Sequence, residues 1–291
     1  MTTFELGSQT AKGGFANEQA ICEKFNNWKN DNEAQQWLKI MGYNLKQINS
    51  VKAIHIPTRF KKTDIERLKL QDTDFESLLR FKKAADVQIR IIITIGKIIK
   101  VENLSLKKAN SDANFNQVDK RWVSSYQEIW GFDNEIAFRL RLFTGELTPK
   151  DYPDIRGDRQ LRDRRRLFLD ELPEYLRNKI INFFTENKIL VVSDILKGRG
   201  GLSVNWMLVT RYNKADGTTR WTLKDINTAM NFFGYGDVRI SPKNFFGYGD
   251  VRISPKGSLY LGKITIMRKG GTPDPTKLQF KIKPCDLFDL E

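Results

Sequence analysis

Asp86-Val-Gln-Ile-Arg-Ile-Ile-Ile-Thr-Ile95 and, beyond Gly96-Lys97, Ile99-Lys-Val-Glu-Asn-Leu-Ser-Leu-Lys-Lys108 form the stretch that decides the fold. Side chains alternate along a strand, so Val87, Ile89, Ile91, Ile93 and Ile95 share one face while Asp86, Gln88 and Arg90 share the other. A glycine turn between two such runs predicts a hairpin. In the second run Leu104 and Leu106 fall on one face, which places Ser105 and Lys107 together on the opposite one. Where the two polar faces coincide, Asp86, Ser105 and Lys107 converge. A carboxylate, a hydroxyl oxygen and an amine at the ends of adjacent strands can hold a divalent metal and set a water against a phosphodiester.

Composition narrows the partners. The 291 residues carry 49 Lys and Arg against 35 Asp and Glu, a net charge of +14, which favours a polyanion. No apolar run approaches the roughly 20 residues of a membrane-spanning helix, and the N-terminus has no basic-then-apolar signal, so a soluble, cytoplasmic protein with no membrane partner is expected. Cys22 and Cys285 lack metal-ligand spacing, which argues against structural zinc. The single histidine, His55, lies in a strand-like Ala-Ile-His-Ile-Pro run and reads as an ordinary strand residue. Any chemistry therefore falls to carboxylates and lysine.

Outward from the hairpin, Phe15 to Trp28 has helical spacing, with Phe15, Ile21, Cys22, Phe25 and Trp28 on one side. Glu18 lies near the middle of that side. It reads equally as an inward carboxylate that needs a partner and as an edge glutamate favoured by the helix dipole. Glu33 to Met41 predicts a helix, Val51 to Ile56 a strand, and Thr63 to Lys83 a helix-like segment leading into Asp86. Val118, Trp122, Val123, Tyr126, Ile129 and Trp130 fit a further helix, with Gln117 and Lys120 near its start where they could meet a phosphate. Helical pieces follow at Ile136 to Phe143 and Leu172 to Phe184. Between them, Arg164-Arg165-Arg166 sits in a basic run that reads either as phosphate-neutralising or as a solvated face.

The last third reads as strands at 189–192, 206–212, 220–223, 258–267 and 278–282. Lys197-Gly-Arg-Gly-Gly201 and Arg268-Lys-Gly-Gly271 are basic glycine turns of the kind that let backbone approach a phosphate, with Arg199, Arg268 and Lys269 as contact candidates. Asn231 to Lys243 is copied without change as Asn244 to Lys256. A single tandem copy is too short for a solenoid. One copy is expected to take its place in the fold and the other to stand as an insertion.

Several ordered matches spread along the chain carry a family resemblance: Glu5 to Lys12, Phe115-Asn-Gln-Val-Asp-Lys120, Tyr126-Gln-Glu-Ile-Trp130, Phe143-Thr-Gly-Glu-Leu147, Asp194-Ile-Leu-Lys-Gly-Arg-Gly200 and Ile264 to Gly271. Together they resemble the HinP-type restriction endonucleases. The resemblance implies a type II restriction enzyme of the PD-(D/E)XK nuclease superfamily, which cuts double-stranded DNA at GCGC after the first G with magnesium. It also implies an α/β fold, a central mixed sheet flanked by helices, in one domain over 1–291. Within it a catalytic core would span about 15–130, a basic helical connector about 131–187, and a strand-rich DNA-recognition half about 188–291. Carried over residue by residue, Asp86 is the metal-binding aspartate, Lys107 the motif lysine, Ser105 the second metal-side residue, and the carbonyl of Leu106 a further metal donor. Glu18 matches a glutamate of the first helix that often lies near the metals. Arg268 is a candidate to read guanine and Asp250 to accept from cytosine. A cognate methyltransferase is the expected functional partner, and the palindrome makes a homodimer a partner to test for.

Two positions depart from the pattern. Ala85 stands where the superfamily has proline, and Ser105 stands where it has an acid and the HinP-type enzymes have glutamine. Glu102 shares the face of Leu104 and Leu106 under regular pleating and so does not substitute. The rival reading is a catalytically impaired, sequence-specific DNA-binding protein of the same fold. An RNA-binding module lacks its aromatic and glycine signature here.

Overall fold

Isoleucine alternation sets the register of the central hairpin. In the computed structural model, which describes residues 16–57, 62–68, 87–110, 115–152, 163–213, 215–240, 257–268 and 276–290, β2 (Ile89–Ile95) and β3 (Ile98–Asn110) pair antiparallel with Ile89 opposite Leu104. Gly96 turns the chain in the left-handed region, at φ 57°. β1 (Ser50–His55) pairs antiparallel with β2, and β5 (Trp206–Tyr212) lies parallel to β3 with Leu106 beside Leu208. β6 (Thr219–Asp225) pairs antiparallel with β5, which gives a mixed sheet of order β1-β2-β3-β5-β6.

Two helices cover one face of this sheet. α1 (16–26) and α2 (Asn32–Ile40) bring Ile21, Phe25, Trp37 and Leu38 against Ile89, Ile91, Ile93, Leu104 and Leu208. Of the helix-like segment expected from Thr63 to Lys83, α3 (Lys62–Leu68) covers the start, and 69–83 lie outside the described residues. Asp31 caps α2 by accepting from the Ala34 N–H at 2.8 Å, replacing one of the backbone partners a helix start lacks. Trp37 meets Phe25 at 5.2 Å and Trp221 edge-on at 5.7 Å, so one indole ties both helices to β6.

The chain divides into two compact units that alternate along the sequence. The first takes its described residues from 1–116, 194–230 and 284–291, and the second from 117–193 and 231–283. The second unit contains β4 (Asn116–Arg121), β7 (Val238–Ile240), β8 (Leu259–Leu261), β9 (Ile264–Arg268) and β10 (Leu278–Ile282), in the order β4-β10-β9-β8-β7. Its core is aromatic. Tyr126 stacks on Trp130 at 4.4 Å, and Trp130 meets Phe280 and Phe184 edge-on. These rings come from α4 (Val123–Trp130), α6 (Glu174–Glu186) and β10. α5 (Asn134–Thr144) is capped at its start by Asp133 and closed by Gly145 in the left-handed conformation. Among the described residues no helix is long and apolar enough to cross a membrane.

Three local readings are corrected. Gln117 and Lys120 lie on strand β4, and the helix begins only at Val123. The spacing of Val118, Trp122 and Tyr126 imitates a helix, but Val118 and Asp119 are both buried, as in a strand covered on two faces. Residues 189–192 belong to helix α7 (Lys188–Leu196), where Ile189 and Leu190 are exposed while Val191 and Val192 are buried, a paired rather than alternating pattern. The run 258–267 is two strands, because Gly262 turns the chain at φ 58° with the Tyr235 carbonyl only 2.5 Å from where a Cβ would sit. The sequence reading also missed helix α8 (Ile226–Gly234).

The first copy of the tandem repeat is built into the fold: its opening residues complete α8, and Val238 to Ile240 form β7 opposite Leu261 to Leu259. The second copy, 244–256, lies outside the described residues. With one copy removed, the β7 to β8 connection reduces to 241–243 and 257–258, an ordinary hairpin length. Deleting 244–256 is expected to stabilise the protein by about 1 kcal/mol, the loop-closure difference between roughly 18 and roughly 5 residues. Urea unfolding of the two proteins measures it, and a loss of 1 kcal/mol or more would contradict this assignment.

Candidate active site

The pleat of β3 separates two functions. Leu104 and Leu106 enter the core with α1 and α2, whereas Ser105 and Lys107 point to the other face, 0% and 4% exposed. Ser105 Oγ has no hydrogen-bond partner among the described residues. A buried hydroxyl left in that state costs about 1–3 kcal/mol, so it is available as a ligand oxygen. Asp86 lies outside the described residues, three positions before β2.

Gln88 shapes this end of the hairpin. Its backbone N–H donates to the Leu104 carbonyl at 3.0 Å, and the next rung is made by its side chain, whose Oε1 accepts the Leu106 N–H at 2.6 Å. Main-chain pairing between the strands therefore gives way to a side chain at the level of Ser105 to Lys107. Sequence reasoning placed Gln88 on the polar face but gave it no role. The available signal was a carboxamide among isoleucines, a donor and acceptor that can replace backbone.

Glu102 is committed elsewhere, as alternation required. It accepts from Tyr43 Oη at 2.5 Å and from Trp206 Nε1 at 3.0 Å, on the face of α1 and α2. Burial first, and then this bond to Glu102, push the Tyr43 phenol above its ordinary range. Glu18 lies 2.7 Å from His55 Nε2, and the register puts His55 on the face of Ile89, opposite the one that carries Ser105 and Lys107. The geometry thus brings Ser105 and Lys107 together and pairs Glu18 with His55. Burial, aided by the charges of Glu18 and Glu23, also pushes the Cys22 thiol up to about 12 and leaves it inert.

The DNA-contact candidates are spread over several elements. Arg199 bonds the buried Asp194 at 2.9 Å. Gln117 accepts from Gln279 at 2.6 Å, which ties β4 to β10, and Lys120 lies three residues on along the same strand. Arg268 ends β9, with Nη1 3.5 Å from where a Cβ on Gly145 would sit. Arg166 stacks on Phe168 at 4.0 Å and is pushed down to about 10, chiefly by burial and then by the charge of Arg268. Asp163 offsets part of this positive charge and is itself bonded to Arg165 at 3.1 Å. Asp250 and Lys269 lie outside the described residues.

A family model described as the R.HinP1I restriction endonuclease matches residues 74–246 and 243–288. The two matched segments meet at the seam between the tandem copies. Among solved structures, the restriction endonuclease MspI in complex with its cognate DNA is similar at a TM-score of 0.55 and 12% identity, over 91% of this chain and 87% of that one. A comparison with curated protein sequences gives no match. The mixed α/β sheet flanked by helices thus resembles the fold of MspI.

Proposed function

Because the chain belongs to the R.HinP1I restriction endonuclease family and is a type II site-specific deoxyribonuclease, we propose that it hydrolyses double-stranded DNA at GCGC, after the first G, with magnesium. The observation that carries the reading is the pair of buried polar side chains, Ser105 and Lys107, on one face of β3 where the Gln88 side chain replaces backbone pairing. Asp86, Ser105 and Lys107 are read as the PD-(D/E)XK positions.

Type II restriction endonucleases generally use divalent metal ions. Among the described residues no three of His, Cys, Asp and Glu gather as a metal site. The unpartnered Ser105 hydroxyl is a fitting neutral oxygen donor, and with Asp86 and the Leu106 carbonyl it would complete a hard-oxygen set suited to magnesium. When bound, such an ion supplies positive charge to the scissile phosphate and lowers the pKa of a coordinated water. Lys107 then orients the attacking water and stabilises the charge that develops on phosphorus-bound oxygen. Glu18 supports this centre only by a rearrangement that frees it from His55. Gln117, Lys120, Arg199 and Lys269 hold the backbone, Arg268 reads guanine and Asp250 accepts from cytosine. A host carrying this activity requires a methyltransferase that protects GCGC, and the palindrome is matched by a homodimer.

The test is incubation of the purified protein with DNA containing GCGC and with a matched duplex lacking it, each with magnesium. Cutting confined to GCGC after its first G supports the reading. Tight binding of the GCGC duplex without cutting at any magnesium concentration would establish instead a DNA-binding protein of this fold. Ser105→Gln restores a longer carbonyl donor and is expected to lower the magnesium needed for half-maximal cutting about ten-fold, within the range that ligand-shell changes produce. A metal titration of cleavage rate measures it, and an unchanged or raised requirement removes Ser105 from the metal set.

A further inference from the structure

The polar face of β3 carries another buried pair. Arg90 of β2 stands opposite Asn103 of β3, and the two are 6% and 5% exposed. Alternation places Asn103 on the face of Ser105 and Lys107. Arg90 Nη1 donates to the Gly201 carbonyl at 2.7 Å and to Asn103 Oδ1 at 3.3 Å. Asn103 Nδ2 donates to the carbonyls of Gly201 and Ser203 at 3.0 and 2.9 Å. The backbone joins in, since the Asn205 N–H reaches the Asn103 carbonyl and the Asn103 N–H reaches Asn205 Oδ1, each at 2.8 Å.

The three bonds to the Gly201 and Ser203 carbonyls end on one loop, Lys197-Gly-Arg-Gly-Gly-Leu-Ser203, and Asn205 anchors the chain just beyond it. It bends through left-handed backbone at Gly198 and Gly200, φ 72° and 69°, and closes with the Val204 N–H on the Lys197 carbonyl at 2.7 Å. A guanidinium and a carboxamide buried side by side incur a desolvation cost that hydrogen bonds to the loop carbonyls offset. Apolar residues would pack a sheet face without that cost, so the pair buys placement rather than core stability. The loop it places carries Lys197 and Arg199 beside glycines, with Asp194 holding Arg199 from behind.

We infer that Arg90 and Asn103 are positioning residues that seat the 197–203 loop on the Ser105 and Lys107 face, where it binds a backbone phosphate of the DNA being cut. The inference rests on the proposed hydrolysis of DNA. Asn103 and Lys107 are four residues apart on one strand, about 13 Å at 3.3 Å per residue. A few nucleotides of one DNA strand cover that distance. One DNA strand can therefore rest on the loop and pass the catalytic lysine.

The experiment measures binding of the full chain to a fluorescent GCGC duplex, without divalent metal, over a range of salt. Asn103→Ala removes no charge, yet by releasing the loop it is expected to weaken binding about ten-fold near 0.1 M salt and to lower the slope of log K against log salt by about 1. Lys197→Ala is expected to lower the slope likewise, and the double variant to add little, because both act through one contact. With magnesium at saturating DNA, kcat of Asn103→Ala should stay within about two-fold of wild type while KM rises. A wild-type slope in Asn103→Ala, or wild-type affinity in Lys197→Ala, overturns the inference. If Asn103→Ala has no cooperative unfolding transition, Lys197→Ala with Arg199→Gln leaves the bracket intact, and an unchanged slope there overturns it equally. A wild type that binds no DNA rejects the nuclease reading itself, whereas wild-type binding with unaffected variants rejects the loop alone.

Discussion

Lys107→Ala is expected to reduce the single-turnover cleavage rate about 10²–10⁴-fold, the range for removing a positioned proton-transfer or charge-stabilising group. Affinity for uncleaved DNA should stay within about two-fold. The separation of effects follows from the structure. Lys107 is 4% exposed on the polar face of β3, and its neighbours Leu106 and Leu208 hold the strand pair together on the other face. Truncation thus removes the amine without unseating the strand. Lys107→Met, which keeps the aliphatic stem, should be as slow as the alanine variant and should separate loss of charge from loss of packing. Cleavage by either variant at the wild-type rate would remove Lys107 from the chemistry and with it the PD-(D/E)XK reading.

The largest stability effect is expected in the second unit, at Asp119. Its carboxylate is 1% exposed, lies 3.1 Å from Arg121 Nε and accepts from Tyr126 Oη at 3.0 Å, while Arg121 lies 5.4 Å over the Tyr126 ring. An ion pair and a hydroxyl thus form one network beside the aromatic core. Asp119→Ala takes the counter-charge away from a nearly buried guanidinium, and breaking such a pair costs about 3–5 kcal/mol. Tyr126→Phe removes one hydrogen bond and should cost about 1–3 kcal/mol, because the carboxylate loses a donor. Urea denaturation of both variants gives the order, and an Asp119→Ala protein within 1 kcal/mol of wild type would show that Arg121 finds its compensation elsewhere.

The hairpin was legible because its information is local. Alternating isoleucines, a glycine turn and one buried face leave a single register, and the pleat of β3 alone put Ser105 with Lys107 and set Glu102 apart. What failed was equally physical. Val118 and Asp119 are both buried, so β4 shows no alternation, and a spacing of four between Val118 and Trp122 passed for a helical turn. Residues 189–192 are all apolar and, but for Leu190, β-branched, which reads as strand, yet their burial pattern is that of a helix. The roles of Gln88, Arg90 and Asn103 were beyond a sequence reading. Each depends on partners that only folding brings near, such as the carbonyl of Gly201 beside residues about a hundred positions earlier.

The parallel pairing of β3 with β5 also has a temporal side. β3 ends at Asn110 and its neighbour begins only at Trp206, so a ribosome must add roughly 100 residues between the two, which at about 5–20 residues per second takes on the order of 5–20 s. Throughout that interval the nascent hairpin presents an unpaired edge beside Lys107, and the basic glycine loop has not yet been made. An unfinished chain therefore lacks the assembled face proposed as the cutting centre. Synthesis itself delays the appearance of the folded enzyme, and it leaves an interval in which the β3 edge is open to pairing with other chains.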